Sequence, residues 1–202
     1  MITTLLWDVD GTFVDTEPLH LAAWRHMLRR FGKDLSEEEY VPMTGRGSRE
    51  NMRNLLAAKG VEGDHEELHR VRRQKYEELR RAGIAPIARN IELAWRFKKE
   101  YPALVQAAVS SARRGYVDES LAAAGLDGFF AGSFSLDDRP GLRPKPAPDL
   151  YLYACEALRA GPAECLAFED SANGAAAAEA AGIRVLRLPT ALAPAEILAI
   201  YK

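Results

Sequence analysis

Cysteine is scarce in this chain: Cys155 and Cys165 are its two, ten positions apart, with no Cys or His beside them at zinc-site spacing. That excludes a disulfide-built scaffold and a cysteine-held zinc, and leaves the expectation of two reduced, largely buried thiols. Long apolar runs are missing too. The opening MITTLLWDVDG is broken by Asp8 and has no basic segment ahead of it, so it does not read as a signal peptide. No later stretch approaches the ~20 apolar residues of a membrane span. A charge of one sign is also absent. The chain has 27 Lys and Arg against 29 Asp and Glu, a formal net charge of −2. That gives no general pull toward nucleic acid or an anionic membrane. These absences predict a cytoplasmic protein with no nucleic-acid or membrane partner, in which any anionic ligand is captured by a local site; a monomer is expected.

What is present is a globular composition, 48% hydrophobic and 28% charged over 202 residues. This suits one core domain carrying a modest insertion. Short apolar runs alternate with amphipathic stretches, which predicts an α/β domain with a parallel sheet. Strands are expected at residues 3–7, 104–109, 165–168 and 183–188, with a weaker one at 129–134. Helices are expected at residues 117–124, 148–159 and 171–181. Between residues 16 and 85 the pattern is helical throughout, at 19–28, 37–40, 49–58 and 65–81, with no convincing strand. The mixed-sign stretch His69 to Arg81 reads as a solvated helix face.

In an open parallel sheet, ligands bind beyond the carboxyl ends of the strands, so the residues that follow each strand matter most. After the first come Asp8, Val9, Asp10, Gly11 and Thr12. Two carboxylates at this spacing lie on one side of an extended chain, and a hard cation with oxygen ligands would relieve their repulsion. A polar turn or a helix cap also explains such a pair. After the second strand, Ser110 begins the Ser110-Ser111-Ala112-Arg113 loop, which suits a phosphate cradle or a plain helix N-cap. Lys145 sits in a proline-framed loop, Arg143 to Asp149, stiff enough to hold one cation in position. Glu169, Asp170 and Ser171 follow another strand, as a second acidic pair or with Asp170 or Ser171 as cap of the Ala-rich helix that follows.

Taken in order, these residues resemble the haloacid dehalogenase superfamily. DVDGT at Asp8 to Thr12 resembles its first motif, Ser110 its second, Lys145 in KPAPD its third, and Glu169-Asp170 its fourth. The stretch Asp15 to His20 is similar to the β-phosphoglucomutase and sugar-phosphate phosphatase branch. The resemblance implies a Rossmann-like parallel-sheet core, residues 1–15 plus 86–202, with an inserted all-helical cap at 16–85. It also implies a Mg2+-dependent phosphatase of small phosphorylated metabolites. Asp8 would be the nucleophile and Asp10 the general acid and base, with Ser110 and Lys145 binding the phosphoryl oxygens. Asp8, Asp10 and Asp170 would hold the metal, with Glu169 in or near that shell. Ser111, Arg113, Thr16, His20, Arg46 and Arg49 are the candidates for binding the rest of the substrate. His20 reads either as a cap-hinge residue or as a surface histidine. The mutase alternative calls for a lysine just before the cap-loop glycine, where this chain has Thr44, which tips the reading toward hydrolysis. A non-catalytic binding protein fits less well with every core position intact.

Overall fold

A computed structural model describes residues 1–44 and 48–201. The chain divides into two compact units, Met1–Asp15 with Ala85–Lys202, and Thr16–Ile84.

The first unit is built on five parallel strands: β1 (Thr4–Trp7), β4 (Val105–Val109), β5 (Gly132–Phe134), β6 (Cys165–Glu169) and β7 (Arg184–Arg187). Their order is β5-β4-β1-β6-β7. The central position of β1 follows from its composition. All four residues of TLLW are buried, and a strand covered on both faces must be apolar on both. Register places Trp7 beside Ala108 of β4 and beside Phe168 of β6, so these strands end level with one another. The Trp7 ring stacks on Phe168 with centroids 3.8 Å apart, and its indole N–H donates to buried Gln106 Oε1 at 3.0 Å. Five helices accompany the sheet in sequence: α5 (Ala88–Glu100), α6 (Arg114–Ala123), α7 (Asp149–Leu158), α8 (Ala172–Ala180) and α9 (Pro194–Ile200). On α8 the buried residues are Gly174, Ala175, Ala177 and Ala178; small side chains let this helix approach the sheet closely. Cys155 of α7 and Cys165 of β6 are free, buried thiols with sulfurs 3.7 Å apart.

The second unit holds α1 (Glu17–Arg29), α2 (Glu37–Tyr40), α3 (Ser48–Lys59) and α4 (His65–Ala82). Its core includes Trp24, Met27, Leu28, Met52 and Leu56. Ser36 and Glu39 form a capping box on α2. Asp64 caps α4, accepting from the N–H groups of Glu66 and Glu67. Among the described residues no helix is long and apolar enough to cross a membrane.

Three features depart from the sequence expectation. Val14–Asp15 (β2) and Ala85–Pro86 (β3) pair antiparallel, Asp15 opposite Ala85; two residues per strand are too few to show alternation. Helix α5 presents Leu93, Ala94 and Phe97 to the core, but no side chain caps its start, so no boundary signal marks it. The short α9 is the third. The His69 to Arg81 stretch is corrected as well: it is no purely solvated face, because Arg72, Tyr76 and Arg80 are buried. Their spacing of four residues puts them on one side of α4, turned inward.

Candidate active site

The carboxyl ends of β1, β4 and β6 bring the motif residues of the first unit together. Asp8 follows β1, and its N–H donates to Phe168 O of β6 at 3.0 Å. Ser110 follows β4, and its N–H donates to Phe134 O at 2.9 Å. Glu169 is the last residue of β6, fully buried, with Asp170 next. The capping alternative fails for Ser110 and Asp170 and holds for Ser171. Helix α6 starts at Arg114 with Arg113 in the cap position, so Ser110 does not cap it. The cap of α8 is Ser171, whose Oγ accepts from Gly174 N at 3.0 Å, so neither acid is spent there.

Lys145 reaches across from the proline-framed loop, and its own N–H donates to Ser111 Oγ at 3.1 Å. The ammonium has three protons, and all are used: on Asp8 Oδ1 at 2.6 Å, Glu169 Oε1 at 2.6 Å and Val109 O at 2.9 Å. Burial works against the charged form of Lys145. The carboxylates of Asp8 and Glu169 outweigh it and keep the group charged, well above the ordinary lysine value. Burial pushes Glu169 up to about 7, with Asp8 adding to the rise and Lys145 opposing it. Asp170 is raised to about 7 by burial and by the charges of Asp8 and Glu169.

Three carboxylates against one ammonium leave this pocket negative. Asp8, Glu169 and Asp170 each offer an oxygen, all within 4.8 Å of one another. Asp8 Oδ2 and Asp170 Oδ1 are buried without a hydrogen-bond partner, a costly arrangement unless something positive meets them. The donor set is entirely oxygen and carries excess negative charge, so it fits a hard divalent cation.

Two glycines leave the acids room. Gly11 has φ +87°, and a Cβ there would lie 2.1 Å from Asp170 Oδ2. At Gly174 a Cβ would lie 1.8 Å from Glu169 Oε2. Gly174→Ala is therefore expected to displace Glu169 from Lys145 and cost most of the activity. Thermal unfolding together with turnover checks this, and wild-type values for both would contradict it.

Three residues of the site escape a reading by motif. Tyr151 of α7 donates to Glu169 Oε1 at 2.5 Å. Asn90 of α5, also buried, donates to Thr12 O at 2.7 Å. Ser120 of α6 donates to Asp10 Oδ1 at 3.1 Å. The available signal was a polar residue on an otherwise apolar helix face: Ser120 lies in the buried stripe with Val117 and Leu121, and Asn90 lies with Leu93, Ala94 and Phe97.

Arg113 is exposed. In the second unit, Thr16 is buried at the start of α1 without capping it through its side chain. Arg49 is exposed and forms an ion pair with Glu66. Arg46 lies outside the described residues. His20 is not a solvated surface histidine: its ring stacks on Tyr76 with centroids 4.1 Å apart, and Arg72 Nη2 donates to its Nδ1 at 2.7 Å. Burial, then the charges of Arg72 and Arg80, hold it down to about 3. Folded, it stays neutral; unfolded, it takes a proton near its ordinary value of 6.5. Its stabilising contribution is thus complete above pH 6.5 and is lost as pH falls toward 3, by up to ~1.4 kcal/mol per pH unit. His20→Phe, which keeps the stack, is expected to flatten the stability curve between pH 6 and 4, measured by denaturant unfolding. An unchanged slope would contradict this.

Fold and site together describe an α/β enzyme with an acidic, lysine-bridged pocket at the carboxyl edge of a parallel sheet. Residues 2–182 match the family model of haloacid dehalogenase-like hydrolases, so the chain belongs to that family. It is 30% identical to the protein CbbY of Rhodobacter capsulatus, over 94% of this chain and 86% of that one. It is 27% identical to the fructose-1-phosphate phosphatase YqaB of Escherichia coli, over 89% of this chain and 92% of that one. The crystal structure of CbbY from Rhodobacter sphaeroides in complex with phosphate is similar at a TM-score of 0.73 and 28% identity, covering 96% of this chain and 89% of that one.

Proposed function

We propose that this enzyme, a phosphoric monoester hydrolase, uses Mg2+ and an aspartyl-phosphate on Asp8 to remove the phosphoryl group from a small phosphorylated metabolite of the sugar-phosphate class. Asp8 attacks phosphorus, and the bond to the leaving oxygen breaks while Asp10 gives that oxygen a proton. Asp10 then takes a proton from the water that attacks the phosphoryl group, the bond to Asp8 breaks, and inorganic phosphate leaves. Ser110 and Lys145 bind the phosphoryl oxygens, and Lys145 also offsets charge at Asp8, because phosphoryl transfer depends above all on positioning and charge stabilisation. Asp8, Asp170 and the Asp10 carbonyl would hold Mg2+, with Glu169 beside them. When bound, the ion offsets negative charge on the phosphoryl oxygens. A cytoplasmic monomer is part of the same proposal, with Ser111, Arg113, Thr16, His20, Arg46 and Arg49 as the candidates for contacting the rest of the substrate.

The observation that carries this reading is the state of Asp8. Lysine fixes one of its oxygens at 2.6 Å, and the other is buried with no partner. Phosphate release from a panel of sugar phosphates, fructose 1-phosphate among them, with and without Mg2+, tests it. Metal-dependent release from at least one member is expected. Isomerisation without net phosphate release, or no turnover by the folded protein, would contradict it.

A further inference from the structure

The Asp10 carboxylate is met by hydroxyls from two elements. Ser110, after β4, donates to Oδ2 over 3.4 Å, and Ser120, inside α6, donates to Oδ1 over 3.1 Å. These contacts are unequal. Hydroxyl–carboxylate bonds centre well below 3 Å, so the one from Ser110 lies at the limit of a hydrogen bond. Ser110 Oγ is engaged besides, accepting from Ala112 N at 3.0 Å. Ser120 has no exposed surface and sits on the inward stripe of α6 with Val117 and Leu121. A hydroxyl at such a position costs free energy unless it reaches an acceptor, and alanine would favour the helix more. The stripe itself calls for an apolar residue; what serine adds is a donor for Asp10.

We propose that Ser120 is a positioning residue for Asp10, anchoring Oδ1 of the carboxylate that passes the proton. The inference rests on the reading of Asp10 as proton donor and acceptor given above. In the first half-reaction the proton moves from the Asp10 carboxyl to the leaving oxygen as its bond to phosphorus breaks and the Asp8–phosphorus bond forms. In the second, the Asp10 carboxylate recovers a proton from the attacking water as the Asp8–phosphorus bond breaks. Ser120 keeps its own proton throughout and touches no substrate. Its effect is to hold the carboxylate against rotation.

The leaving group separates this role from simple packing. A sugar phosphate expels an alkoxide that needs a proton, whereas 4-nitrophenyl phosphate expels a stabilised phenolate that needs none. Values of kcat/KM for both substrates in the wild type, Ser120→Ala and Asp10→Asn, with thermal unfolding alongside, make the test. Ser120→Ala is expected to lower kcat/KM for the sugar phosphate about 10- to 100-fold and for the aryl phosphate by no more than about threefold. Asp10→Asn is expected to repeat this selectivity more strongly. Equal losses on both substrates in Ser120→Ala, with Asp10→Asn selective, overturn the role of Ser120 and leave the reading of Asp10 standing. Equal losses in Asp10→Asn overturn that reading and the inference with it. Where the alanine variant does not fold, Ser120→Cys, near serine in size and a weak donor, gives the same comparison. The same selective loss is expected of it, and equal losses again overturn the role.

Discussion

Asp8→Asn is expected to abolish phosphate release, by at least about 10⁴-fold, and to leave the fold intact. The amide is no nucleophile toward phosphorus, and the lysine, glutamate and serine beside it are already engaged. Lys145 and Glu169 are bound to each other, and Ser110 is engaged with Asp10 and Ala112 N. The second half of the expectation follows from charge. Asp8, Glu169 and Asp170 crowd three carboxylates around one ammonium, so removing one negative charge relieves repulsion in the metal-free protein. Thermal unfolding without divalent ions should therefore show no loss of stability. The same variant should gain less than the wild type when Mg2+ is added, because one proposed ligand has lost its charge. Activity within tenfold of wild type would remove Asp8 from the nucleophile's role.

Lys145→Ala is expected to produce a large loss of stability in the first unit. The side chains of Lys145, Asp8 and Glu169 are 6%, 10% and 0% exposed. Deleting the ammonium leaves two buried carboxylates facing one another, and breaking a buried pair in this way costs about 3–5 kcal/mol. For a chain of this length that corresponds to a fall in melting temperature of roughly 10 °C. Turnover should vanish with it, since the oxygen of Asp8 that Lys145 holds is no longer fixed. Divalent cations should restore part of the stability and none of the turnover. A melting temperature within about 2 °C of wild type would mean that the lysine is not bound as the geometry describes.

The acidic edge of the sheet was legible in the sequence because its carboxylates and Ser110 lie at the ends of strands whose apolar runs are readable. Asp8, Ser110, Glu169 and Asp170 needed only the rule that strands of a parallel sheet end together. Lys145 was legible through the prolines around it. Residues that act from helices were hidden for the opposite reason. Tyr151, Asn90 and Ser120 reach the site only once a helix has docked in one rotation, and sequence spacing does not say which strand end a helix face will meet. The same gap hid the surroundings of His20. Arg72 and Tyr76 lie more than fifty positions away, and in the sequence they sit within a charged run with no visible partner. There the apolar stripe of α4 was masked because its inward positions are arginine and tyrosine rather than leucine. The β2–β3 ribbon was too short for any pattern to register.

The most direct measurement is of the covalent intermediate. The enzyme is mixed with 4-nitrophenyl phosphate and Mg2+, quenched in acid within the first turnover, cleaved with trypsin, and its peptides are analysed by mass spectrometry. A phosphoryl group carried on Asp8, in the peptide that ends at Arg25, and absent from Asp8→Asn, is the expected result. Turnover proceeding with Asp8 unmodified, or with the phosphoryl group on another residue, would contradict the mechanism at its centre.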